Sequence, residues 1–79
     1  MSIVSCSGDE CSVTLSGNSV VRVLDATFSV ARIENGRATL RVDDQDVSCA
    51  QGQSVSVGSL NLTCTRVTSD TVEFTVSRG

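Results

Sequence analysis

The chain has 79 residues, 39% of them hydrophobic, a formal charge of −3, and no His, Lys, Pro, Trp or Tyr. That length makes one domain near the lower limit for a self-sufficient core, where disulfides, a metal or a partner chain commonly supply the missing stability. Its six arginines are scattered and its only aromatics are Phe28 and Phe74, which argues against nucleic-acid binding through a basic groove and stacking rings, and no apolar run approaches the length of a membrane-spanning helix.

At the start of the chain, Met1–Val4 has neither the basic start nor the long apolar core of a signal peptide. The expected location is a virion or the extracellular or cell surface, with the cytoplasm left open. Ser2–Ser5 reads either as an arm that pairs with a neighbouring subunit or as a frayed end. Next comes "CSGDEC", in which Cys6 and Cys11 bracket Ser7, Gly8, Asp9 and Glu10; Cys49 and Cys64 complete the cysteine set. Structural zinc sites bring ligands in closer pairs, and a thioredoxin-like site needs C-x-x-C at a helix start. A disulfide between Cys6 and Cys11, closing a short loop, fits better. The alternatives are another pairing of the four and, for Cys49 and Cys64, buried free thiols.

From Val13 onward the chain reads as two copies. A shift of 34 positions lays Val13–Val42 over Val47–Val76 without a gap. Val13, Val21, Val23, Arg32 and Val42 then fall on Val47, Val55, Val57, Arg66 and Val76. The expected organisation is a single all-β domain over 1–79, with repeat one at 13–42, repeat two at 47–76 and an N-terminal cysteine-bracketed loop at 1–12.

Within each copy the apolar residues alternate as in half-buried strands: Ala26, Phe28 and Val30; Ala38, Leu40 and Val42; Leu60, Leu62 and Cys64; Val72, Phe74 and Val76. Both copies break phase at the same place, Val30 to Ile33 and Cys64 to Val67, where a β-bulge or a bend between sheets would absorb the odd step. Asn35-Gly36 is a hairpin signal, because both central residues of a type I′ turn need positive φ. Ser16-Gly17-Asn18, Gly52-Gln53 and Gly58-Ser59 mark further turns. About eight short strands follow, at 11–16, 19–24, 26–33, 37–43, 46–50, 53–57, 60–67 and 71–77. The expected fold is a compact sandwich or small barrel with the two copies related by a pseudo-twofold axis. Cys49 and Cys64 take the repeat positions of Leu15 and Val30, so they are expected at the core as a second bridge.

The stretch Gly52–Val76 is similar in cadence to the carbon-storage-regulator RNA-binding proteins, which also run glycine and alternating apolar residues into a long strand. Gln53 and Ser59 stand where that family has acids, and its basic RNA-contacting edge has no counterpart, so the resemblance implies a shared strand rhythm and no function.

The sequence offers little chemistry. His is absent, no Lys can replace it beside a serine nucleophile, and there is no phosphate-cradling glycine loop. The carboxylates fall in expected turns, including Asp43, Asp44 and Asp46 between the copies, a stretch that lacks the spacing and glycine of a calcium-binding EF-hand loop. No enzyme, cofactor or metal is expected. Small Val-, Ser- and Thr-rich β modules recur among virion decoration and fibre proteins and cell-surface appendages, an analogy of composition. The expected function is a non-enzymatic structural or assembly module of that kind, working as a homo-oligomer or bound to a larger assembly through protein contacts. The alternative is a secreted, disulfide-stabilised binder or inhibitor presenting Ser7–Glu10.

Overall fold

The computed structural model describes Ser2–Arg78; Met1 and Gly79, at the two ends of the expected domain, lie outside the described residues. Nine strands run in order: β1 (Ser2–Ser7), β2 (Glu10–Ser16), β3 (Val20–Val23), β4 (Ala26–Glu34), β5 (Arg37–Val42), β6 (Gln45–Ala50), β7 (Ser54–Val57), β8 (Leu60–Val67) and β9 (Thr71–Arg78). The fold is all-β, as the alternation predicts. Eight strands match the expected eight within a few residues, and β1 is the addition.

The strands form a five-stranded sheet in the order β1-β2-β9-β8-β7 and a four-stranded sheet in the order β3-β4-β5-β6. Every neighbouring pair is antiparallel. Of the two architectures expected, this is the sandwich. One apolar core lies between the sheets, built from the inward-facing residue of every second position. Val13 and Leu15 come from β2, Phe28 from β4, Leu40 from β5, Leu62 from β8, and Val72, Phe74 and Val76 from β9; each is at most 2% exposed. Phe28 and Phe74 meet across the core with ring centroids 5.5 Å apart and planes tilted by 38°. The interior holds no buried polar or charged side chain among the described residues.

The phase breaks read from the sequence are bulges. The β4–β5 register shifts between Val30 and Arg32, and the β8–β9 register shifts between Cys64 and Arg66. Each lets an apolar residue beyond the bulge, Ile33 or Val67, still pack against the core. Asn35 (φ 53°) and Gly36 (φ 75°) adopt the paired left-handed conformations of a type I′ turn.

How the sheets stack decides what is left uncovered. β3 and β4 contact β2, whereas β6 contacts β7 and β8. The four-stranded sheet therefore covers β2, β9, β8 and β7, and β1 overhangs the sandwich.

Candidate functional site

β1 is the one strand of the nine whose six residues are all exposed. It pairs with β2 in the register Ser2 to Leu15, Val4 to Val13 and Cys6 to Cys11. Residues directly opposite one another share a face. Cys11, Val13 and Leu15 point into the core, so Ser2, Val4 and Cys6 lie on the inner face, and Ile3, Ser5 and Ser7 on the outer. With no second sheet above it, Val4 remains 44% exposed despite its inner-face position, and Ile3 is 59% exposed.

The four cysteines pair as two disulfides, Cys6–Cys11 and Cys49–Cys64. Cys6 and Cys11 are opposite each other in the hairpin, with Cα atoms 4.0 Å apart. That close approach marks a non-hydrogen-bonded pair. The backbone N–H and C=O of Cys6 thus point away from β2. With the period of two, so do those of Val4 and Ser2, toward the open side of the sheet. The hairpin itself turns on Gly8 and Asp9. Gly8, at φ 63°, takes the first central position of a two-residue turn, the place where a type II′ turn needs glycine. Arg78 donates its backbone N–H to the Asp9 carbonyl at 3.3 Å, which ties the turn to the end of β9.

This geometry differs from the loop expected between Cys6 and Cys11. Ser7 and Glu10 are paired strand residues, and Gly8 and Asp9 alone form the turn. The C-x4-C spacing with Gly at its centre is what a cross-strand bridge over a two-residue turn requires. That was the available signal for β1, since exposed Ser2–Ser7 has no alternating burial to announce a strand. Cys49 and Cys64 are where the copy comparison predicts them, fully buried. Their bridge links β6 to β8, one strand from each sheet. Disulfides of both kinds persist in oxidising compartments such as the extracellular space.

At the end of the sandwich beside the β3–β4 and β5–β6 turns, an open groove of about 500 Å³ is lined by Asp25, Asp43, Asp44, Gly58, Ser59 and Arg78, among others. Two of its three acids make structural contacts. The Thr27 N–H donates to Asp43 Oδ1 at 2.9 Å, and the Asp43 N–H donates to the Thr27 carbonyl at 2.9 Å. Arg78 reaches Asp25 at 3.5 Å. Asp46, the last acid of the Asp43–Asp46 stretch, is cross-strand from Arg41, which donates from Nε to Oδ1 at 3.0 Å. That hydrogen bond, with the attraction of the guanidinium, holds the Asp46 carboxyl below the usual carboxylate range and raises Arg41 above its ordinary value. No group of three or more metal-ligating side chains assembles among the described residues.

The geometry thus separates an open acidic groove from an uncovered strand edge, and comparison adds no relative to either: no protein-family model, characterised protein or solved structure matches the chain.

Proposed function

We propose that the protein is a non-enzymatic assembly module, a virion decoration or surface-accessory protein that works by adding its β1 edge to a neighbouring β-surface. The observation that carries this reading is β1 itself. Ordering a strand costs roughly 1–2 kcal/mol of backbone entropy per residue, and all six β1 residues are exposed, so apolar burial offsets little of it. Among the described residues, one ladder, to β2, and the Cys6–Cys11 bridge hold it within the chain. Natural sheets blunt exposed edges with charge, proline, bulges or short length. β1 has six residues, no charge and no bulge in its pairing. Such an edge accepts another strand through main-chain hydrogen bonds.

The alternative reading, a secreted binder presenting Ser7–Glu10, has less support. Ser7–Glu10 is exposed, but two of its four residues are held in the ladder and the turn carbonyl is tied to Arg78, which leaves a two-residue turn in place of a protruding loop. The test is native mass spectrometry of oxidised protein, alongside a chain lacking residues 2–5. The 79-residue chain is expected to form an oligomer and the shortened chain a folded monomer. A monomer in both, binding no assembled lattice, would overturn the reading.

A further inference from the structure

Resting on that assembly reading, we infer that the occupant of the β1 edge is β1 of a second copy, paired antiparallel about a twofold axis through the Val4–Val4 pair. The inward ladder with β2 uses Ile3, Ser5 and Ser7, leaving Ser2, Val4 and Cys6 with backbone N–H and C=O aimed outward. A twofold antiparallel pairing sets a residue against its own copy. Centring on Val4 places Ser2 against Cys6, Val4 against Val4 and Cys6 against Ser2. It is the one register that uses all three outward-facing residues of both strands, and each such pair exchanges two hydrogen bonds. The two five-stranded sheets become one continuous sheet.

Side chains and charge suit this partner. Val4 lies beside its own copy on the inner face that the four-stranded sheet leaves open, and Ile3 lies beside Ser5 on the outer face. β1 carries no charge to repel its copy. The nearest acids, Asp9 and Glu10, sit at the hairpin end. In the antiparallel arrangement the two Asp9 turns lie about 30 Å apart at 3.4 Å per residue, beyond the screening length at physiological salt. A parallel arrangement would bring them together. The other edges are less suited. β3 and β7 have four residues each, with Arg22 on β3. β6 carries Asp46, and the Ala50 N–H at its end already donates to Gln53 Oε1 at 3.0 Å.

Proline substitution separates the two sides of the strand. The Val4 N–H points outward, so Val4→Pro leaves the β1–β2 ladder whole and removes an intermolecular bond from each copy. Ile3→Pro instead breaks the ladder to β2. Sedimentation of the unaltered protein is expected to show a dimer that Val4→Pro weakens by about 30-fold, two hydrogen bonds being lost. Val4→Lys, which keeps the N–H but sets like charges face to face, should also dissociate it. A half-labelled sample of the unaltered dimer should give an intermolecular NOE between the Ile3 and Ser5 Hα protons, a close pair in this register. A dimer equally tight in Val4→Pro and Val4→Lys would overturn the β1 pairing and leave the assembly reading standing. An unaltered protein that is monomeric at every concentration would overturn the second copy as occupant, and lattice binding by that monomer would show that the assembly reading survives without it.

Discussion

At the scale of single residues, the core and the turns make opposite demands. Phe28 is fully buried against Phe74. Phe28→Ala is expected to cost about 4 kcal/mol, a large part of the roughly 4–12 kcal/mol that a domain of this size possesses. Urea denaturation would show the midpoint falling steeply or the transition vanishing. Gly36 tests the backbone alone. A Cβ there meets no atom within 4 Å, but φ is 75°, so Gly36→Ala is expected to lose about 1 kcal/mol through left-handed strain. An unchanged midpoint would contradict the type I′ assignment. Arg41 and Asp46 are exposed, so their effect is local and salt-screened. Because the Asp46 carboxyl is lowered on folding, its contribution is present above the usual carboxylate range. It is lost as pH falls through the folded-state midpoint. A carbon NMR titration should place Asp46 below the ordinary aspartate value, and Arg41→Gln should return it toward that value.

Single elements show where the sequence was legible. β5 and β9 alternate cleanly because one face is core and the other solvent, and their burial follows the sequence pattern residue by residue. The bulges were legible because Ile33 and Val67 are apolar on the wrong parity. β1 was not, because periodicity reports alternating burial and all six of its residues are exposed. Its strand character comes from the Gly8-Asp9 turn and the bridge to Cys11, a tertiary restraint that alternation does not encode. The pairing of β2 with β9 was equally hidden, since it joins the two ends of the chain. The bridges should therefore act differently. Replacing Cys49 and Cys64 by Ala reopens a 15-residue separation between the sheets, with an expected loss of about 3 kcal/mol in global stability. Replacing Cys6 by Ser, which opens the bridge and leaves Cys11 as a buried thiol, should speed amide exchange at Ile3 and Ser5, while the β8 amides stay as slow as before. Uniform acceleration across both sheets would mean that β1 belongs to the core's cooperative unit.

Across the whole molecule, we propose that the two halves derive from one duplicated unit. Strands β3, β4 and β5 and the bulge in β4 recur 34 residues later as β7, β8 and β9 and the bulge in β8. β2 pairs with β9, and β6 pairs with β5, so the first strand of each half pairs with the last strand of the other. A chain carrying two copies of Val13–Val42, the second in place of Val47–Val76, should fold into the same two sheets. A dye-binding product without fixed packing would contradict the duplication. In this arrangement β1 stands outside both halves, an extra strand on one sheet with no equivalent on the other. Its open edge is therefore the proposed place of assembly. The most direct measurement is amide hydrogen exchange at Val4 and Ile3 as a function of protein concentration. Ile3, held by β2, is expected to exchange slowly at all concentrations, and Val4 to exchange fast when dilute and slowly when concentrated. Fast exchange at Val4 across the whole range, beside a slow Ile3, would leave the edge uncovered and contradict assembly through β1.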